Sequence, residues 1–401
     1  MKIGILRESN TPPDKRVPLT PEQCAEVQEK FDNVSIIVQP SLFRCFSDDE
    51  YKSKGLIVDE DINDCDILFG VKEVEINNFI PGKIYLFFSH TIKKQEHNRK
   101  LLQAVLERKI QLVDYEALTD KHGFRIIGFG RFAGLVGAYN GLRAYGLRNK
   151  LFDLNPAYLC FDIIEMLREL DTIKLPQVKI AVTGDGRVAS GVLEIMKRLN
   201  IEKVEPAEYI LKTYTEPVFT QLIPQNYVRR KDFEPFDLLH FFNHPDEYEN
   251  VFLPFARTTD LLIASAFWNP RSPVLFTASD MKENGFRISV ISDITCDIVG
   301  SIPSTKKAST IDDPFYDYNP ETGELEPAFS SLANISVQAV DNLPCELPKD
   351  ASEDFGRNLI DKVLPAFLEN DPDEIIERAS ITKNGKLTPR FSYLQDFANG
   401  K

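Results

Sequence analysis

Ionisable side chains follow two apolar runs in the first quarter of the chain. The run ILFGV is followed directly by Lys72 and Glu73, and the run IYLFFS is followed by His90. Lysine and histidine side chains exchange protons efficiently when burial and neighbouring charges adjust their acidity. These residue types therefore favour proton transfer at an amine or a carbonyl group.

Other charged residues take similar positions. Lys93 lies just after His90, Asp114 and Glu116 follow the apolar run IQLV, and Arg16 lies in the loop after the first run. Arginine can hold a carboxylate through two hydrogen bonds. Ligands of parallel α/β folds bind beyond the carboxyl ends of the strands. We therefore expect these side chains to converge on one rim of a sheet.

Each of these residues also has an ordinary structural explanation. A single histidine at a strand end is more often structural than catalytic, and a neighbouring lysine and glutamate usually form a solvated ion pair. Several such residues at the ends of successive strands favour the functional interpretation.

A glycine loop lies near the middle of the sequence. Residues 178–191 read VKIAVTGDGRVASG, in which a short β-prone run precedes Gly184 and Gly186. Apolar residues then recur at helical spacing. A strand, a glycine turn and a helix N-terminus together suit the pyrophosphate of a dinucleotide. The predicted cofactor contacts of this loop are Gly184, Asp185, Gly186, Arg187 and Val188.

Residues that could contact the rest of the nucleotide are less distinctive. Glu205 and Glu208 are the acids that could bind the ribose hydroxyls, and Lys203 is the nearest cation. No arginine close behind them would favour a 2′-phosphate, so the pattern favours NAD over NADP. Asp293, in ISDIT, could face the nicotinamide or cap a turn.

Composition excludes several classes of protein. The chain has 401 residues and a net charge of −14, which argues against a nucleic-acid partner. Its six cysteines form no CxxC pair, and His240 and His244 lack an obvious third ligand, so we expect no metal site. No signal peptide or membrane span is apparent, and we expect a cytoplasmic protein that binds a small molecule, with its oligomeric state open.

Strand-like and helix-like runs alternate along the chain, which predicts an α/β fold with parallel sheets. One series fills the first third, a second begins near residue 178, and the small-residue segment FGRFAGLVGAYNGLRAYGLR lies between them as a long helix. The tail has no nucleotide-loop character. We predict a discontinuous substrate domain at 1–135 plus 330–401 and an NAD-binding Rossmann domain at 136–329.

The motifs resemble the family of alanine dehydrogenase and lysine-forming saccharopine dehydrogenase, which includes the lysine–ketoglutarate reductase module. The resemblance spans nearly the whole chain, and the stretch DNLPCELPKDAS suits the saccharopine branch. The other motifs that carry it are IGILRE, KRVPLTP, FGVKEV, FSHTIKKQ, LVDYEAL, FGRFAGLVGAYNGLR, VTGDGRVASG and ISDIT.

The resemblance implies two Rossmann-like domains, with cofactor and substrate in the cleft between them. It implies that Lys72 and His90 are the catalytic pair, one serving the substrate amine and one the attacking water, while carboxylates modulate them. The residues matched to the family's other positions are Glu73 and Glu116 as modulating carboxylates, Arg16, Lys93, Arg125 and Phe129 at the substrate, and Gly184, Gly186 and Asp293 at the cofactor.

Three functions stay open on this basis. The first is NAD-dependent conversion of saccharopine and water to lysine and 2-oxoglutarate, or the reverse. The second is alanine dehydrogenase activity on pyruvate and ammonia. The third is a nucleotide-binding sensor without catalysis, which would have no need of Lys72 and His90.

Overall fold

The computed structural model describes residues 1–9 and 14–401. The chain divides into two compact units: Met1–Phe129 with Pro348–Lys401, and Gly130–Leu347. The first unit is therefore discontinuous in sequence. The boundaries differ from the predicted 135/136 and 329/330, because the long helix begins at Gly130 and a strand at Ile335–Gln338 pairs within the second sheet. The roles of the two units stay predictions.

The first unit contains an eight-stranded sheet in the order β18-β17-β6-β5-β4-β1-β2-β3. Strands β1 to β6 are parallel, and β17 and β18 are antiparallel. The strands are β1 Lys2–Ile5, β2 Ser35–Val38, β3 Ile57–Val58, β4 Ile67–Phe69, β5 Ile84–Phe87, β6 Gln111–Asp114, β17 Ser380–Lys383 and β18 Lys386–Leu387.

Residues 1–9, 14–129 and 348–401 of this unit form seven α-helices. They are α1 Pro21–Lys30, α2 Asp48–Ser53, α3 Arg99–Glu107, α11 Pro348–Asn358, α12 Leu364–Leu368, α13 Ile375–Ala379 and α14 Gln395–Ala398. A π-helical turn, Leu359–Val363, joins α11 to α12. Short 3₁₀ turns span Ile76–Asn78, Thr91–Lys93, Glu96–Asn98, Tyr115–Ala117 and Pro389–Leu394.

Local sequence explains where α1 begins. Thr20 accepts a hydrogen bond from the Gln23 amide, the Gln23 side chain accepts one from the Thr20 amide, and Pro21 occupies the first helical position. This capping box satisfies amides that a helix N-terminus leaves without partners. Cys24 and Val27 lie on the buried face.

The direction of the chain across this sheet reverses at β1. Strands β2 and β3 lie on one side of β1, whereas β4, β5 and β6 lie on the other. In open α/β sheets a crevice forms beyond the carboxyl ends of the strands at such a switch point, and ligands bind there. The switch point of the first unit lies between β1 and β4.

The second unit contains an eight-stranded sheet in the order β15-β14-β16-β13-β12-β7-β9-β8 and a separate β10-β11 hairpin. β14 and β15 are antiparallel to their neighbours, and the other main-sheet strands are parallel. The strands are β7 Lys179–Thr183, β8 Glu202–Lys203, β9 Val218–Leu222, β10 Val228–Arg230, β11 Tyr248–Asn250, β12 Leu261–Ala264, β13 Val290–Asp293, β14 Phe315–Tyr318, β15 Leu325–Glu326 and β16 Ile335–Gln338.

The α-helices of this unit are α4 Gly130–Arg148, α5 Ile163–Glu169, α6 Arg187–Arg198, α7 Pro206–Leu211, α8 Pro224–Tyr227, α9 Leu238–Asn243 and α10 Leu253–Ala256. Its 3₁₀ turns span Ala157–Leu159, Leu170–Thr172, Pro245–Glu247, Asp280–Lys282 and Leu343–Glu346. None of the helices in the described part of the chain is long and apolar enough to cross a membrane.

Small residues bring α4 and α6 into close contact. A Cβ atom on Gly134 would overlap the Val188 carbonyl, and one on Gly191 would overlap the Arg131 carbonyl. The glycines therefore allow two helix backbones to approach more closely than other residues would. This explains the small-residue segment that predicts a closely packed long helix.

The predicted α/β class with two largely parallel sheets is confirmed. The first apolar run, the runs before Lys72, His90 and Asp114, and the run before Gly184 correspond to β1, β4, β5, β6 and β7. The antiparallel strands were not predicted. The four edge strands β3, β8, β15 and β18 each have two residues, which is too short for a period-2 pattern to be recognised.

Candidate active site

Glu73 and His90 form a hydrogen-bonded pair beyond the carboxyl ends of β4 and β5. Nδ1 of His90 bonds to Oε1 of Glu73, and both side chains are about three-quarters buried. His90 adopts a left-handed backbone conformation, with φ 52°, and its ring stacks on Phe88 at a centroid distance of 6.5 Å. The contact with Glu73 orients the ring and leaves Nε2 for another partner.

The acidity of Glu73 reflects this contact. Burial raises the pKa of Glu73. The hydrogen bond to His90 and the charge of His90 together lower the pKa by a larger amount, so the net pKa is below the ordinary value. Glu73 is thus held as a carboxylate facing the imidazole. A carboxylate in this position fixes the orientation of the ring.

Lys72 lies next to this pair, at the end of β4. Its amide donates to Oε2 of Glu8 at 2.9 Å, and the Val71 amide donates to Oε1 of the same carboxyl at 2.7 Å. The Lys72 side chain is half-buried and forms no hydrogen bond or ion pair with residues 1–9 or 14–401. It is therefore available to an incoming group.

Glu116, which lies beyond β6, contacts two cations that are predicted to bind substrate. Lys93 Nζ lies 3.4 Å and Arg125 Nη2 lies 3.3 Å from its Oε1, and the Glu116 side chain is only 9% exposed. Both cations are about half exposed. Oε2 of Glu116 is buried and has no hydrogen-bond partner among the described residues. Two mobile cations around one buried carboxylate can also receive an external carboxylate.

Asp114 forms hydrogen bonds with two parts of the same rim. It is fully buried and accepts hydrogen bonds from the Ser89 amide at 3.1 Å, the Ser89 hydroxyl and the Glu116 amide at 2.7 Å. Burial raises the pKa of Asp114 to about 6 in spite of these bonds. Asp114 thus links Ser89, the residue before His90, to the turn that carries Glu116.

Arg16 is already paired. Its Nη2 lies 2.6 Å from Oδ2 of Asp14, both residues are buried, and its guanidinium lies 4.1 Å from the centroid of the Phe129 ring. Phe129 in turn stacks on Phe355 at 4.5 Å. The structure thus places Arg16 and Phe129 in a packed aromatic environment, with Asp14 as the partner of the guanidinium.

The same unit contains residues that sequence reasoning missed. Glu8 lies three residues after the end of the first strand, as Lys72 does after β4, so the strand-end rule that identified Lys72 could have found it. Asp14 precedes Arg16 by two residues, and the acid beside the arginine was the available signal. Tyr115 and Phe355 carried no signal, because a buried aromatic residue in an apolar run looks the same whether or not it adjoins a site.

The glycine loop lies in the second unit, between β7 and α6. Gly184 has φ +95°, and a Cβ there would lie 3.1 Å from Cα of Ala266. Gly186 is the residue before α6, and a Cβ there would meet no atom within 4 Å. Asp185 and Arg187 are exposed and Val188 is half-buried. An open loop before a twelve-residue helix fits a pyrophosphate.

Glu205 does not lie beside this loop in the sheet. It precedes α7 just after the edge strand β8, and β9 separates β8 from β7. Strand β9 ends instead with Gln221 and Leu222, and Nε2 of Gln221 donates to the Gly184 carbonyl at 2.9 Å. The strand order was not readable from the sequence, and the ribose contact of Glu205 stays a prediction.

Asp293 ends β13 and is buried. Its carboxylate accepts from Thr295 Oγ1 at 2.7 Å, from the Thr295 amide at 3.1 Å and from Thr305 Oγ1 at 2.6 Å. Burial raises the pKa of Asp293, and these hydrogen bonds lower it. The structure therefore shows Asp293 organising the turn after β13.

His240 and His244 lie on and just after α9. Their rings are 4.9 Å apart, and each lies within 3.7 Å of a Glu247 carboxylate oxygen. No group of three or more candidate ligands in the described residues has a geometry that could hold a metal ion.

The N-terminal third of the chain matches a known domain. Residues 4–136 match the family model described as alanine dehydrogenase/PNT, N-terminal domain. In three dimensions the chain resembles an L-alanine dehydrogenase, with a TM-score of 0.65 and 14% identity, over 100% of this chain and 99% of the other. At this identity the likeness shows the fold.

Two relatives extend the similarity along the chain. Alpha-aminoadipic semialdehyde synthase of Arabidopsis thaliana is 30% identical over 437 residues, which cover 98% of this chain and 41% of that protein. The chain thus spans less than half of that relative. Saccharopine dehydrogenase [NAD(+), L-lysine-forming] of Emericella nidulans is 23% identical, over 90% of each chain. These similarities confirm the predicted resemblance, and the family model covers about a third of the chain, residues 4–136.

Proposed function

We propose that the chain is an NAD(H)-dependent oxidoreductase of a carbon–nitrogen bond, which converts saccharopine and water to lysine and 2-oxoglutarate or catalyses the reverse reaction. The observation that carries this proposal is the Glu73–His90 pair, with Lys72 next to Glu73 in the sequence and its side chain without a hydrogen bond or ion pair to the described residues. Two adjacent basic groups meet the need for two proton transfers. The names of the relatives, saccharopine dehydrogenase among them, support the choice of substrate.

The nucleotide would bind at the glycine loop. The positive φ of Gly184, the open space beyond Gly186 and the N-terminus of α6 fit its pyrophosphate. Bound there, the nicotinamide would accept or return the hydride of the substrate carbon that carries nitrogen. The name of the saccharopine dehydrogenase relative specifies NAD(+), and we propose NAD as the cofactor of this chain.

The residues of the first unit would handle the protons. Oxidation of the C–N carbon gives an imine, and water adds to it when a base removes one of its protons. The carbinolamine then collapses, the C–N bond breaks, and a proton passes to the departing amine. Lys72 and His90 would divide these transfers between the amine and the water, while Glu73 and Glu116 adjust their charge.

The cations of the rim would hold the substrate. Saccharopine carries three carboxylates, whereas pyruvate carries one. Lys93 and Arg125 are half exposed and share Glu116, so they are the candidates for one of these carboxylates. Arg16 is buried against Asp14 and Phe129, and a role in binding would require the substrate to share its guanidinium with that acid.

A direct assay tests the proposal. Purified protein is mixed with NADH, lysine and 2-oxoglutarate, and the loss of NADH absorbance is followed beside a mixture of NADH, pyruvate and ammonia. We expect turnover only in the first mixture. Repetition of both mixtures with NADPH compares the cofactors, and a higher kcat/KM with NADPH would contradict the choice of NAD.

Alanine dehydrogenase is the second candidate, because an L-alanine dehydrogenase shares the fold and the family model includes that enzyme. Turnover only with pyruvate and ammonia would establish it. Absence of turnover in both mixtures, with the nucleotide still bound, would contradict both enzymatic candidates and favour a nucleotide-binding sensor.

A further inference from the structure

We infer that Glu8 is a positioning residue of the active site, whose carboxyl group holds the main chain of Val71 and Lys72 and so fixes Lys72 and Glu73 relative to His90. This inference rests on the proposed function for its catalytic consequence. Its structural part, the fixing of two amides, can be tested without any assay of turnover.

The position of Glu8 in the sheet supports this role. The pairing of β1 with β4 closes with the Leu6 amide donating to the Phe69 carbonyl at 2.8 Å. Beyond this point the main chain of β1 offers no acceptor to Val71 or Lys72, and the two oxygens of Glu8 accept their amides at 2.7 and 2.9 Å. Glu8 thus bridges the switch point between β1 and β4, where ligands of such sheets bind.

Other main-chain groups of this turn form hydrogen bonds with β5 and the residue after it. The Gly70 amide donates to the Leu86 carbonyl at 2.9 Å, and the Phe88 amide donates to the Val71 carbonyl at 3.0 Å. The turn that carries Lys72 is therefore held from one side by the main chain of β5 and from the other by a single side chain. Loss of that side chain would leave two amides without acceptors and release only one side of the turn.

The main chain connects the hydrogen bonds of Glu8 to the Glu73–His90 pair. Glu8 fixes the amide of Lys72, the next residue is Glu73, and the carboxylate of Glu73 contacts His90. A displacement of the Lys72 main chain would move both the lysine and the carboxylate that orients the imidazole. A shift of about 1 Å in such groups is enough to lower a rate substantially.

The electrostatic surroundings distinguish Glu8 from an ordinary surface glutamate. Burial and the charge of Asp14 raise the pKa of Glu8, the two amides and Arg16 lower it, and the net pKa is about 8. Tyr115 lies close enough for the charge of Glu8 to raise the pKa of its phenol, and its hydroxyl has no hydrogen-bond partner among the described residues. Asp14, Arg16 and Tyr115 are thus charged or titratable groups that interact with Glu8 within the described residues.

The decisive experiment compares Glu8→Gln and Glu8→Ala with a matched control, Asp371→Asn. Asp371 also accepts two amides, those of Ile375 and Ile376 at 2.7 and 2.8 Å, but it caps α13 and contacts neither Lys72 nor His90 among the described residues. Each variant is examined by hydrogen exchange of the Val71 and Lys72 amides, by thermal unfolding, and by kcat and KM across pH.

We expect faster exchange at Val71 and Lys72 in both Glu8 variants and unchanged exchange there in the control. We expect kcat to fall about 10-fold in Glu8→Gln and further in Glu8→Ala, with little change in KM. The ionisation that Glu8 adds to the pH profile near 8 should be absent from both variants.

Unchanged exchange at these two amides in Glu8→Ala would overturn the positioning role whether or not the protein turns over any substrate. An equal loss of kcat in Asp371→Asn, or a loss explained by unfolding, would overturn the catalytic consequence. Wild-type protein that is inactive on every substrate would contradict the proposed function instead, and the exchange measurement would still decide the role of Glu8.

Discussion

The two units present opposite kinds of surface to a ligand. In the first unit the proposed chemistry depends on side chains, because Lys72, His90 and Glu116 follow the adjacent strands β4, β5 and β6. In the second unit the proposed nucleotide site depends on the main chain, because Gly184 and Gly186 lie in the turn before α6. The comparison teaches that binding a phosphate can rely on backbone geometry, whereas proton transfer requires specific side chains held in place.

The largest effect should come from removal of the side-chain chemistry. The double variant Lys72→Met, His90→Gln leaves neither basic group at the ends of β4 and β5, so we expect kcat to fall by a factor of about 10³ or more. Nucleotide affinity, measured by fluorescence titration, should stay within about twofold of wild type. Comparable turnover in the double variant would show that the first unit does not carry the proton transfers.

A pair of glycine variants separates binding from packing in the second unit. In Gly191→Ala the new methyl overlaps the Arg131 carbonyl, so we expect the free energy of unfolding to fall by about 3 kcal/mol. In Gly186→Ala the methyl meets no atom within 4 Å, so stability should be unchanged while nucleotide affinity falls about 10-fold. Denaturant titration and nucleotide binding measure the two effects. Equal stability losses would contradict this separation.

Arg125→Ala tests whether the rim of the first unit selects a larger substrate. Loss of one charge-assisted carboxylate contact should raise KM for 2-oxoglutarate about 10-fold and leave KM for pyruvate nearly unchanged. Lys121→Ala is the control, because Lys121 is an exposed cation four residues earlier that forms no ion pair within the described ranges. An equal effect of Arg125→Ala on pyruvate would favour alanine dehydrogenase.

The smallest effect concerns a buried acid of the second unit. Glu346 is 3% exposed and accepts from Asn140 at 2.8 Å, and burial raises its pKa from 4.5 to about 7. The folded state therefore binds more protons than the unfolded state between these values, so this group costs stability as pH rises from 4.5 to 7. Glu346→Gln keeps the bond to Asn140 and should be more stable than wild type by about 1 kcal/mol at pH 8. The gain should vanish near pH 4, and a constant difference between the two pH values would contradict this origin.

Sequence reasoning succeeded where one local pattern determines the structure. The apolar runs before Lys72, His90 and Glu116 form adjacent parallel strands, and residues that end adjacent parallel strands must lie at one rim. The turn at Gly184 was predictable for the same reason, since the strand, the glycines and the helix are contiguous in the chain.

The failures concern facts that only the folded chain contains. Strand β9 and not β8 pairs with β7, and no local pattern specifies which strand becomes the neighbour. The pairing of Arg16 with Asp14 and the two-amide contact of Glu8 depend on side-chain directions in a loop and on the pairing of β1 with β4. The tail from residue 330 is predicted to belong to the first domain because it has no nucleotide-loop character, whereas Ile335–Gln338 pairs with β13 in the second sheet.

The two-residue strands at the edges have a consequence for behaviour at high concentration. Both ends of each eight-stranded sheet are closed by such a strand, and three of the four contain a charged residue, namely β8, β15 and β18. A long, flat edge exposes a row of unpaired amides and carbonyls to which another molecule can add. Edges this short offer almost no template for that addition, so the sheets are protected from edge-to-edge aggregation by geometry rather than by a covering element.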